Sequence, residues 1–150
     1  MYKNHYMKYL YLLLVKIKML WYNFKNVPKV SLTFLVNGEG KILSVSRKDN
    51  KNDFGLCGGK VDKGETFVQA GIRELFEETG LIGYNLKPIF FRKDGKFKCI
   101  TFLANFKGEI NVSDSHETGA VEWLTFKELN EGTFGEYNIE LVICEYKDTT

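Results

Sequence analysis

The sequence predicts an α+β fold, with helices covering a mixed, largely antiparallel sheet. Three observations predict it. Short runs rich in Val, Leu, Ile and Phe recur from residue 29 onward, several with alternating character. Turn signals at Asn37-Gly38 and Asp94-Gly95 separate neighbouring runs, as hairpins require. One central segment, residues 67–79, has helical spacing and end signals on both sides.

At 150 residues the chain is long enough for one domain with a real core. Its 44% apolar and 27% charged residues are ordinary globular composition, and the net charge of +2 gives no general coat for nucleic acid. A nucleic-acid partner is therefore not expected. Cys57, Cys99 and Cys144 are odd in number and far apart, without a CxxC pair, so neither zinc nor a disulfide framework is indicated. Reduced thiols and a cytoplasmic location are the expectation. His5 and His116 are too few and too separated for a histidine metal site.

Taken in order, residues 1–28 are Tyr- and Lys-rich and unlike the rest. Their apolar run, residues 9–15, is far shorter than the roughly 20 residues a membrane span needs. Three readings stand: a packing extension, an amphipathic anchor, or a start before the true initiator at Met19. An N-terminal extension without catalytic role is preferred, leaving residues 29–150 as the domain. A chain beginning at Met19 is then expected to fold and work. Residues 29–36 and 41–46 form a hairpin around Asn37–Gly40, and 47–53 is a polar loop. Strands follow at 86–92, 96–106 and 120–124, with a helical turn at 126–129. Residues 136–146 are assigned to a terminal helix by length and position.

The central segment carries the chemistry. Thr66 caps a helix with Gln69 three residues on, a capping box, and Gly80 suits the left-handed residue that ends one. Val68, Ile72, Leu75 and Thr79 share one face, expected to meet the sheet. Glu74, Glu77 and Glu78 crowd roughly the opposite side. Like charges at these spacings repel, and they sit near the helix C-terminus, where the macrodipole is also negative. Arg73 balances one of them. A hard divalent cation, Mg²⁺ or Mn²⁺, would balance the rest through oxygen ligands. A solvated acidic face is the plainer alternative, but charge and dipole are both unfavourably placed, as at functional sites. Gly58 and Gly59 permit close approach of a ligand to the backbone, with Lys60 and Lys63 supplying positive charge nearby.

The same stretch resembles the Nudix hydrolase signature: Gly, five residues, Glu, seven residues, then Arg-Glu-aliphatic-x-Glu-Glu-x-Gly-aliphatic. Here those positions are Gly59, Glu65, Arg73, Glu74, Leu75, Glu77, Glu78, Gly80 and Leu81. The resemblance implies an α/β/α sandwich around a mixed sheet, and cleavage of a pyrophosphate bond in a nucleoside diphosphate derivative with Mg²⁺ or Mn²⁺. It implies Glu77 and Glu78 as metal ligands, Glu74 as ligand or activator of water, and the Gly59 carbonyl as a further ligand. Glu65 and Arg73 would orient the glutamates.

The flanks are closest to MutT-type enzymes, which convert nucleoside triphosphates, oxidised ones included, to monophosphate and pyrophosphate. By that likeness Glu117, six residues before Trp123, is an extra metal ligand or the general base, or equally a solvated loop residue. Glu122 competes with it, but strand alternation turns Glu122 outward. Asn138 would read a purine edge, or cap a helix. Arg47 would hold phosphate, or be a solvated charge. Cys57 stands where the family often has proline, and with no histidine nearby in sequence it is not a nucleophile. ADP-ribose, dinucleoside polyphosphate and mRNA-cap hydrolysis are alternatives, as is a module that binds nucleotide without cleaving it. Oligomeric state is not readable.

Overall fold

A computed structural model describes residues 5–112 and 118–132 of the chain. The assigned terminal helix at 136–146 lies outside the described residues, as do Cys144 and His116. The described chain folds as α1 (His5–Asn23), β1 (Lys29–Phe34), β2 (Ile42–Arg47), β3 (Phe54–Lys60), α2 (Phe67–Thr79), β4 (Ile82–Asp94), β5 (Phe97–Lys107), β6 (Thr118–Leu124) and α3 (Phe126–Leu129).

The six strands make one sheet in the order β4-β5-β1-β3-β2-β6. β1 and β5 run parallel, from Lys29↔Lys98 to Phe34↔Leu103, and the other pairs are antiparallel. This is the mixed, largely antiparallel sheet of an α+β fold that the sequence predicts. The long β4–β5 hairpin turns at Gly95, whose φ of 55° is left-handed.

The expected β1–β2 hairpin exists only at its tip. Asn37 N–H donates to the Lys41 carbonyl, and Asn37 Oδ1 accepts from the Glu39 and Lys41 amides. One bridge, Val36↔Ile42, follows, and then the strands part. β3 enters the gap, pairing its first half with β2 (Ser44↔Leu56) and its second half with β1 (Thr33↔Cys57). Glycine permits that fit: a Cβ on Gly58 would lie 2.2 Å from the Ser31 carbonyl oxygen. β3 reads poorly as a strand in sequence because three of its seven residues are glycine. β4 starts at Ile82, four residues earlier than the expected strand, because two irregularities break its alternation. One contains Asn85 at φ 52° and the other follows Pro88.

Residues 5–23 form a helix that the sequence reading does not assign. Its inner side carries Tyr11, Leu12, Val15, Met19 and Tyr22. Val15 and Met19 are buried against Phe67, Ile100 and Phe102, while Tyr11 and Leu12 also reach the cluster of Phe34, Ile42, Ile89 and Leu129. Tyr22 stacks on Phe91 with centroids 5.8 Å apart, and the Lys18 ammonium lies 4.3 Å from the same ring centroid. Tyr11 Oη accepts from the Phe91 amide at 3.3 Å. Lys29 Nζ donates to the Tyr22 and Lys25 carbonyls, a cation at the negative end of the helix. A chain starting at Met19 would lose Val15 and Tyr11 from this packing. The expectation that such a chain folds unchanged is therefore withdrawn.

Candidate active site

α2 has the bounds and caps expected of it. Thr66 Oγ1 accepts from the Gln69 amide while Gln69 Oε1 accepts from the Thr66 amide. Gly80, at φ 79°, donates to the Phe76 carbonyl at 2.8 Å. Its packed face is rotated from the expected one. Phe67, Ala70, Gly71, Leu75 and Thr79 are buried, whereas Val68 and Ile72 are only half-buried. The reason is close contact with β1. Ser31 Oγ donates to the Phe67 carbonyl at 2.8 Å, and a Cβ on Gly71 would sit 2.9 Å from Ser31 Oγ. Glycine at residue 71, not a larger apolar residue, lets the helix lie against the strand.

That rotation brings Glu74 and Glu78 to the flank of α2 that faces β3, instead of the solvent side opposite the sheet. Glu78 Oε2 accepts from the Gly58 amide at 3.1 Å and from the buried Cys57 thiol at 2.8 Å. Burial, reinforced by Glu78, pushes the Cys57 pKa well above the usual thiol value, so Cys57 is a neutral donor and not a thiolate. The Glu74 carboxylate packs over Gly59, where a Cβ would stand 2.5 Å from Glu74 Oε1. A side chain there would have to displace the Glu74 carboxylate from its place. Glu77, one turn on from Arg73, is the most exposed of the three acids, at 56% of its side chain.

Arg73 ties the group together. Its Nε and Nη2 donate to the two oxygens of Glu65 at 2.7 and 2.9 Å, a bidentate pair. Nη1 donates to Glu74 at 2.8 Å and to Glu77 at 3.1 Å, and Nη2 also reaches the Lys60 carbonyl at 3.0 Å. The hydrogen bond from Arg73 holds Glu65 below the ordinary carboxylate pKa, and Glu65 in turn, followed by Glu74, holds Arg73 above its own. Asp62 joins at 3.5 Å from Arg73, and its amide donates to Glu65 at 2.9 Å. Sequence reasoning misses Asp62. The Asp62-Lys63-Gly64-Glu65 turn, with Gly64 at φ 85°, is the signal that could have shown it.

Among the described residues, no three His, Cys, Asp or Glu side chains stand close enough to enclose a metal ion as they are placed. The donor set nevertheless fits a hard divalent cation. Carboxylate oxygens of Glu74, Glu77 and Glu78 lie on one flank of one helix, beside the Gly58–Gly59 pair of β3. Arg73 engages Glu74 and Glu77 through a single nitrogen while keeping Glu65 bidentate, so it can hold Glu65 when those two turn toward a cation.

The other predicted residues are more scattered. Lys60 ends β3; its ammonium lies 5.9 Å from the Phe97 ring centroid, and it is the Lys60 carbonyl that meets Arg73. Arg47 ends β2 beside Thr118, exposed and paired with Asp49 at 3.2 Å. Because Ser46 pairs with Phe54, Arg47 sits past the end of β3 away from Gly59, about 20 Å along the strand direction. Glu122 is exposed on β6, as strand alternation predicts. Glu117 and Asn138 lie outside the described residues.

These features define an α+β domain with an oxygen-rich acidic site on one capped helix, set against a glycine-bearing strand. A family model described as the NUDIX domain matches residues 25–142, and the chain belongs to that family. It is 46% identical over 57 residues to an ADP-ribose pyrophosphatase of Methanocaldococcus jannaschii, a match covering 37% of this chain and 34% of that protein. It is 31% identical over 102 residues to a Bacillus subtilis protein provisionally named an 8-oxo-dGTP diphosphatase, covering 63% and 64%. The chain thus spans about a third and just under two thirds of these relatives' lengths. Among solved structures it superposes on a MutT NUDIX hydrolase of Burkholderia pseudomallei with a TM-score of 0.65 at 25% identity, covering 79% of this chain and 99% of that one. An ADP-ribose pyrophosphatase of Streptococcus suis shares the fold, with a TM-score of 0.64 at 18% identity over 83% of this chain and 94% of that one.

Proposed function

We propose that the protein is a divalent-metal-dependent hydrolase of a pyrophosphate bond in a nucleoside diphosphate derivative. The leading substrate is a nucleoside triphosphate, normal or oxidised, cleaved to monophosphate and pyrophosphate. The observation that carries this reading is the arrangement Glu65–Arg73–Glu74 packed over Gly59. An acidic face kept only for solubility needs neither a bidentate arginine nor a glycine under its carboxylate.

In this reading Glu74, Glu77 and Glu78, with the Gly59 carbonyl, hold Mg²⁺ or Mn²⁺. The bound cation would neutralise phosphate oxygens and lower the pKa of a bound water. Arg73 and Glu65 keep Glu74 oriented, which preorganises the site before substrate arrives. The Gly58 amide and Cys57 thiol hold Glu78 on the β3 side. Glu117 is the candidate general base and Asn138 the candidate base reader. Arg47, Gly58 and Lys60 are the candidate substrate contacts. A cytoplasmic location goes with this reading.

ADP-ribose is the second substrate reading, favoured by the 46% identity to the archaeal ADP-ribose pyrophosphatase. A hydrolysis screen with Mg²⁺ and Mn²⁺ over normal and oxidised (d)NTPs, ADP-ribose, dinucleoside polyphosphates and capped RNA separates the two. Release of pyrophosphate from a triphosphate supports the first, and AMP with ribose phosphate from ADP-ribose supports the second. No phosphate product from any of them, with metal present, would refute the hydrolase reading in favour of a non-catalytic module. Chelation of the metal is expected to abolish turnover reversibly.

A further inference from the structure

α1 has a second face that the other described residues leave exposed. Tyr6, Leu10, Leu13, Ile17, Leu20 and Trp21 project away from the sheet at helical spacing, with Phe24 just past the helix end, all between 40% and 90% exposed. Their side lies opposite Val15, Met19 and Tyr22, which are packed inward. A helix of 19 residues spans about 28 Å. A continuous apolar face of that length is more than scattered surface hydrophobics produce.

Charge decides what covers it. The first 38 residues hold six lysines, at positions 3, 8, 16, 18, 25 and 29, and neither Asp nor Glu. On the helix, Lys16 borders the exposed apolar face, and just beyond the helix Lys25 sits 4.3 Å over the Trp21 ring. Two copies docked through this face would bring like charges together. An anionic bilayer surface instead offers opposite charge to the lysines, an apolar layer to the aliphatic residues, and an interface suited to Tyr6 and Trp21 near the two ends. No helix among the described residues is long and apolar enough to cross a membrane. A helix lying in the interface, apolar side down, needs no such length.

We propose that α1 docks the protein on anionic lipid bilayers through this outward face, with the lysines at its borders against the headgroups. The domain rides on the same helix through its inner face. None of the outward residues is among those that hold the α2 glutamates.

The test is flotation of the full chain with vesicles of phosphatidylcholine alone and of phosphatidylcholine with about a third phosphatidylglycerol. The expected result is association with the anionic vesicles only, weakened by added salt. A Leu13→Ser/Ile17→Ser variant is expected to bind on the order of tenfold more weakly or worse, with an unchanged unfolding midpoint. No association of the full chain with either vesicle would overturn the proposal; coverage of the face by residues 133–150 would give that result. Self-association in sedimentation that is lost in the double variant, without vesicle binding, would replace it with a second copy. Vesicle binding unaffected by the double variant would also overturn it.

Discussion

α2 and α1 meet at Phe67, whose ring packs against Val15 and Met19 and whose amide donates to Asn23 Oδ1 at 3.0 Å. They are held in opposite ways. α2 is fixed by directional polar contacts: two caps, the Ser31 hydroxyl, and an arginine that collects Glu65, Glu74 and Glu77. α1 is fixed chiefly by apolar burial on its inner side. The contrast separates reactivity from stability. Changes on the acidic flank of α2 should alter turnover and leave the fold intact. Changes on the inner side of α1 should do the reverse.

The sharpest test is Glu78→Gln. The amide oxygen can still accept from Gly58, so the unfolding midpoint should hold, but the charge proposed to bind the metal is gone. Turnover should fall on the order of 10²–10³-fold, measured as kcat against metal concentration. An unchanged kcat would remove Glu78 from the site. Next in size is Met19→Ala, expected to cost about 2–5 kcal/mol in denaturant unfolding while the kcat of the folded fraction stays near wild type. A midpoint that did not move would show that α1 is not part of the cooperative unit. If kcat fell instead, the separation between the two helices would be wrong.

Glu65→Gln should lower kcat roughly 10–100-fold by loosening Arg73, and it carries a pH signature. The folded-state pKa of Glu65 lies below its unfolded value of 4.5. Its ion pair therefore stabilises the fold above that value and is lost as pH falls through the folded-state pKa. The stability gap between wild type and Glu65→Gln, measured in chelator, should be full at neutral pH and close in acid. A gap independent of pH would show that the Glu65 charge is not its source. The smallest expected effect is Thr66→Ala, about 1 kcal/mol from loss of the cap, with kcat little changed.

The same contrast explains what could be read beforehand. α2 was legible to the residue because caps, period and signature are local patterns, and the antagonism between its acids and its dipole is local too. The direction of its buried face was not, because that depends on Ser31 meeting a glycine at residue 71 from 40 positions away. α1 was illegible because it is apolar on both sides, so no single stripe marks a buried face. β3 was hidden by its glycines, whose purpose appears only beside Ser31 and Glu74. Arg47 shows the limit of motif-like placement: its position at the end of the second strand was right, yet the register leaves it at the far end of β3 from the glutamates.

The parallel pairing of β1 with β5 has a kinetic consequence. Lys29 and Lys98 are neighbours in the sheet, and Tyr11 bonds to Phe91 across 80 residues. An emerging chain makes α1 before the β4–β5 hairpin but cannot seat it until that hairpin exists. The capped helix α2 and that hairpin close over short loops. The centre of the sheet and the berth of α1 require long-range closure, which is intrinsically slow. α1, which precedes that hairpin in the chain, is thus among the last elements to be buried, and its apolar surface stays open to other partners throughout that interval.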